Sequence, residues 1–105
     1  MEIICVNASF STDNLDFFEK FGVKIPEKNK MYNIREVIKL VNGKTGILLE
    51  ELVNPEVPIK HPILGFALKE PNWDLLRFRK LSGDTITKEE IRELITELKT
   101  IENDK

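Results

Sequence analysis

The stretch Met31 to Val53, MYNIREVIKLVNGKTGILLEELV, decides the fold. Two runs rich in β-branched and apolar residues flank Asn42-Gly43, a pair that accepts positive φ at both central positions of a type I′ turn, so the stretch predicts a β-hairpin. With a two-residue loop, Val41 lies opposite Lys44, and counting outward sets Ile38 opposite Ile47, Arg35 opposite Glu50 and Ile34 opposite Glu51. One face then carries Tyr32, Ile34, Ile38, Leu40, Ile47, Leu49 and Val53, the expected core face. The other face sets Arg35 and Glu50 as a cross-strand pair among Val37, Leu48 and Leu52. That face is too apolar to stand bare, so a further element is expected over part of it. A one-residue bulge would break this register.

Upstream, Ile3 to Val6 reads as a buried strand that ends at the turn formers Asn7-Ala8-Ser9. A short helix follows, with Asp13 as its expected cap, Leu15, Phe17, Phe18 and Phe21 as its apolar face, and Gly22 suited to the left-handed position after its last turn. Downstream, Asn54-Pro55 stops the second strand, and three prolines between Pro55 and Pro62 predict an irregular loop. Ile63 to Lys69 reads as another strand, with Gly65 marking a bulge or a close approach. Trp73 to Leu76 suits a helical turn, and Arg77 to Leu81 alternates as a last strand with Phe78 inward and Arg77 and Arg79 outward. Residues 86–103 form the clearest helix: Thr87 and Glu90 make a capping box, Ile86 and Ile91 a hydrophobic staple. Ile91, Leu94, Ile95, Leu98 and Ile101 line its apolar face. The fold expected is mainly β: a small, curled SH3-like barrel of about five strands, with a Phe-rich insert and a C-terminal amphipathic helix.

The chain has 105 residues, 41% of them apolar, and one cysteine, which predicts a single domain with residues 3–81 as barrel core and 86–103 as the added helix. Collagen-like, disordered and disulfide-scaffold classes are excluded. No apolar run is long enough to span a bilayer and the start lacks a signal-peptide pattern, so a cytoplasmic protein without a membrane partner is expected. Sixteen basic against eighteen acidic residues leave a net charge of −2, with no global basic field. Locally, Lys20 to Lys44 holds seven basic residues against Glu27 and Glu36, a candidate anion patch whose ordinary reading is a solvated loop.

The chemistry-bearing residues are few. Cys5 and His61 are the lone residues of their types, and a thiol–imidazole pair is outweighed by a buried small side chain and a loop histidine. No metal-ligand spacing is present and no cofactor is expected; Gly43-Lys44-Thr45-Gly46 lies in a hairpin without the helix a phosphate loop requires. Glu50 and Glu51, adjacent on a strand, point to opposite faces and cannot share acid–base work. Arg35, Glu50 and Glu51 are instead expected in a structural ion pair that fixes register, with Arg77 or Arg79 as the partner of Glu51. Trp73, Arg77, Arg79 and Lys80 form the candidate binding set, an aromatic beside cations that suits a stacked base and its phosphates. The competing role of Trp73 is to plug the open end of the barrel.

Several segments together resemble a family of small uncharacterised proteins found in bacterial prophages and mobile elements. They are Ile4-Cys5-Val6-Asn7, Tyr32-Asn33-Ile34-Arg35-Glu36-Val37, the run from Gly46 to Pro55 containing Leu48-Leu49-Glu50-Glu51, Glu70-Pro71-Asn72-Trp73 and Arg77-Phe78-Arg79. The resemblance covers most of residues 3–81; the insert at 10–30 is longer than the family's connector and the C-terminal helix is an addition. It implies a small barrel in a mobile-element setting and brings no activity. The function expected is therefore a non-enzymatic binding or accessory module for protein interaction, as a monomer or a weak homodimer through the C-terminal helix. The alternative is a nucleic-acid-binding module on Trp73, Arg77, Arg79 and Lys80; a thiol-dependent enzyme on Cys5 and His61 ranks third.

Overall fold

The computed structural model describes residues 1–40, 42–61 and 63–103. Its strands and helices run in the order β1 (Glu2–Cys5), α1 (Thr12–Phe21), β2 (Met31–Lys39), β3 (Thr45–Leu49), β4 (Val57–His61), β5 (Gly65–Lys69), β6 (Trp73–Asp74), β7 (Phe78–Lys80) and α2 (Lys88–Asn103). A 3-10 turn at Leu75–Arg77 joins β6 to β7. Five strands form an antiparallel sheet in the order β6-β3-β2-β1-β7, and β4 and β5 pair separately as a second hairpin. The chain is thus mainly β. The five-stranded sheet is open, because no ladder joins its two edges, β6 and β7.

The β2–β3 hairpin forms, but in a different register. Leu40 N–H donates to the Lys44 carbonyl at 3.0 Å and Gly43 N–H to the Leu40 carbonyl at 3.0 Å, so three residues connect the strands instead of two. Gly43 takes φ 83°, the left-handed conformation that closes loops of this length. Lys39 therefore faces Thr45, Ile38 faces Gly46 and Val37 faces Ile47. Val41 lies outside the described residues, and its expected pairing with Lys44 with it. A bulge between Ile34 and Glu36 then shifts the ladder once more, leaving Ile34 opposite Leu49. Tyr32, Ile34, Ile47 and Leu49 are buried as expected. Beyond the bulge the alternation inverts: Val37 turns to the core, Ile38 and Leu40 are only half-buried, and Val53, past the end of β3, is exposed.

α1 is capped two residues earlier than its sequence suggests: Ser11 Oγ accepts from Asn14 N–H at 3.2 Å, and Asp13 sits inside the first turn. Gly22, at φ 69°, ends it. The proline-rich segment is also regular, with β4 running through Pro58 in register with Leu68. A two-stranded hairpin leaves each strand one free edge, where a residue without N–H costs no ladder bond. At the C-terminus the capping box is present, with Thr87 N–H donating to Glu90 Oε1 at 3.0 Å and Glu90 N–H to Thr87 Oγ1 at 3.1 Å. Ile86, Ile91 and Leu94 are buried in the same cluster as Ile3, Cys5, Tyr32 and Phe78, and Ile95 and Leu98 pack at its margin. The apolar face of α2 from Ile91 to Leu98 therefore packs on its own chain. The Ile101 side chain lies outside the described residues. Among the described residues no helix is long and apolar enough to cross a membrane.

Candidate docking cleft between the two sheets

The four residues of the expected Trp/Arg site have other occupations. Trp73 is buried, with Phe10 and Phe18 packed edge-on against it at centroid distances of 5.8 and 5.7 Å. Arg77 stacks over Phe10 at 3.9 Å and donates to the Ser9 carbonyl at 2.7 Å and the Asn7 carbonyl at 3.3 Å, tying the β1–α1 connection to the 3-10 turn. Arg79 donates to the Leu76 and Phe78 carbonyls. Lys80 Nζ lies 3.3 Å from Glu90 Oε1, where it helps dock α2. The aromatic is thus packed among its neighbours, and each of the three cations has a partner within the chain.

The ion pair around Arg35 is rearranged in the same way. As the extra residue of the bulge, Arg35 bends so that Nε donates to the Leu49 carbonyl at 3.2 Å and Nη2 meets Glu70 Oε2 at 2.7 Å. Glu50, its expected partner, is exposed: the register sets Leu49 opposite Ile34, where Glu51 was counted, and leaves Arg35 in the bulge without a cross-strand residue. Glu70 Oε2 also accepts from Asn54 N–H at 3.0 Å, and the buried Asn54 side chain clasps Lys24 through both its amide groups. Four segments meet at this knot. Glu51 accepts from Asn33 N–H and Asn33 Nδ2 at 2.7 and 2.8 Å. Burial works against its charge, yet the two Asn33 donors outweigh it and hold the carboxyl below its ordinary range. Neither Arg77 nor Arg79 bonds to Glu51.

A concavity lies where the sequence left an apolar face in need of cover. The β4–β5 hairpin stands over the β2–β3 hairpin and leaves a cleft of about 730 Å³ between them. Ile38, Leu40, Leu48 and Ile59 supply its apolar surface, and Lys39, Lys60, Lys69, Glu36, Glu56 and Glu70 also line it. Leu48 is buried there despite lying on the face away from Ile47 and Leu49. Apolar side chains among charges of both signs suit a groove for an extended segment. Asn72, above Gly46, separates this cleft from a shallower one of about 270 Å³ beside Trp73. A side chain at Gly46 would collide with the Asn72 side chain, whose Cγ would lie 2.7 Å away, so Asn72 would have to move to admit one.

Cys5 is fully buried, and burial pushes its thiol up despite a hydrogen bond to the Asn7 backbone and the nearby Arg77 charge. A thiol so placed is a packing residue. The His61 side chain lies outside the described residues, and with it the expected Cys5–His61 pairing. Among the described residues no cluster of three or more His, Cys, Asp or Glu side chains is arranged to hold a metal ion. The sequence reading missed Glu70, Asn54 and Ile59; the one signal for them was the surplus of apolar residues on the second hairpin face. Comparison with known protein families, curated proteins and solved structures finds no match to this chain.

Proposed function

We propose that this chain is a non-enzymatic protein-interaction module whose docking site is the cleft between the β2–β3 and β4–β5 hairpins, and that it takes an extended partner segment bearing apolar side chains. The carrying observation is the cleft itself, about 730 Å³ with Ile38, Leu40, Leu48 and Ile59 inside and lysines and glutamates around it. Mixed rim charges favour main-chain and apolar recognition over a phosphate backbone, which needs cations of one sign. The engaged state of Arg77, Arg79 and Lys80 weighs the same way. The strand order β6-β3-β2-β1-β7, with a 3-10 turn linking the two edge strands, supports an SH3-like relationship in which the barrel is left open and the β4–β5 hairpin is inserted. A mobile-element setting rests on the sequence resemblance alone.

The test is selection from a random peptide library on the purified protein, followed by fluorescence anisotropy of the selected peptides with wild type, Ile38→Glu and Ile59→Glu. Loss of affinity by about tenfold or more in both variants, about 1.4 kcal/mol, with folding intact by circular dichroism, is the expected result. Selected peptides that bind all three proteins equally, or no selected peptides, would remove the cleft from the proposal. Labelled DNA and RNA are run in parallel, and binding that falls steeply with salt transfers the function to the nucleic-acid reading.

A further inference from the structure

β5 is an extended strand with almost no cover. It is in register with β4 alone, and four of its five residues, all but Ala67, are exposed. Val57 is buried and Ile59 packs at the core margin, so the face they share with Ala67 and Lys69 turns inward. Phe66 and Leu68, on the opposite face, are 70% and 65% exposed, and Ile63 and Leu64 at the hairpin tip are 86% and 72% exposed. Such a concentration exceeds the scattered apolar residues of an ordinary surface. A two-stranded ribbon is also marginal by itself and gains from a third or fourth strand. The two edges of this ribbon differ: β4 carries Pro58, which has no N–H to offer, whereas β5 has neither proline nor bulge to blunt it.

We propose that β5 is a self-association edge, on which a second copy of this chain pairs its own β5 antiparallel about a two-fold axis to make a four-stranded sheet. The occupant follows from the strand's self-complementarity. Centring the pair on Ala67 sets Phe66 of each copy opposite Leu68 of the other, and Gly65 opposite Lys69, so both apolar pairs match and no like charges meet. A bilayer surface fits less well, since residues 57–69 offer it only Lys60 and Lys69 as fixed cations. α2 offers less apolar surface, because Ile91 and Leu94 are buried in its own chain and Ile95 and Leu98 pack at the core margin. Phe66 and Leu68 lie on the hairpin face opposite Ile59 and outside the cleft lining, so failure of this pairing would leave the proposed cleft untouched.

Sedimentation of the full chain across the micromolar range tests this, with Phe66→Lys/Leu68→Lys and Phe66→Glu/Leu68→Glu as variants at exposed positions and circular dichroism to follow folding. The wild type is expected to dimerise with rising concentration, each double variant to remain monomeric, and their equimolar mixture to recover the dimer, because lysines then oppose glutamates. A wild type that stays monomeric, a double variant that still dimerises, or a mixture that fails to recover would each overturn the proposal. Binding of phosphatidylserine vesicles by a monomeric wild type would reassign the patch to lipid.

Discussion

At Arg35 the β2–β3 ladder takes in one extra residue, and that residue ends in a carboxylate from a distant strand end. The guanidinium has a planar fork that reaches the Leu49 carbonyl and Glu70 together, which a lysine would not satisfy. Glu70, with its side chain 15% exposed, also receives Asn54 N–H, so removing it strands both donors. Glu70→Ala is expected to cost about 1–3 kcal/mol, read as a lower urea midpoint. Glu50→Ala, at an exposed position without this network, is expected to change stability by less than about 0.5 kcal/mol. At Cys5 the expectation concerns reactivity: a fully buried thiol with its pKa raised by burial should react with a thiol reagent only as the protein unfolds. Native-state labelling at a rate that urea does not change would reopen the thiol chemistry.

At the scale of the element, the start of α2 is set by local chemistry. The Thr87 and Glu90 side chains each satisfy a backbone donor of the first turn, so Thr87→Ala is expected to lower stability by about 1 kcal/mol in thermal unfolding. The same bond, with Lys80, holds the Glu90 carboxyl below its ordinary range, as Asn33 does for Glu51. A carboxyl depressed in the folded state stabilises it fully above its unfolded pKa, about 4.3 for glutamate, and stops doing so as pH falls through the folded value. Stability is therefore expected to fall below about pH 4, with a smaller fall in Glu51→Gln than in the wild type. Equal acid sensitivity of the two proteins would refute that assignment. This capping box was legible from the sequence because its partners are three residues apart. The β2–β3 register was not, because a two-residue and a three-residue loop both accommodate Asn42-Gly43, and nothing local announces a bulge whose stabilising partner is thirty-five residues away.

At the scale of the whole molecule, one cluster of buried side chains runs from Ile3 on β1 to Leu94 on α2, and Phe10, Phe17, Phe18 and Phe21 pack at its margin near Trp73. Helix and sheet should consequently melt together. Ile91→Ala, at a position 2% exposed, is expected to cost about 2–4 kcal/mol and to shift the fluorescence transition of Trp73, the sole tryptophan, together with the helical circular-dichroism signal. A helix that melts ahead of an unmoved Trp73 transition would show it to be an appendage. The sequence by itself determined what is written in short-range pattern: the mainly β class, the hairpin at Met31–Val53, the Phe-rich helix ended by Gly22, and the capped C-terminal helix with its apolar face. Tertiary structure alone decided the open sheet, the separate β4–β5 ribbon through Pro58, the Arg35–Glu70 pair and the cleft they border. Periodicity and caps act over a few residues and leave their mark there. Strand order, register after a bulge and the partner of a half-buried charge are settled by which distant segments can share one core at least cost in unpaired polar groups.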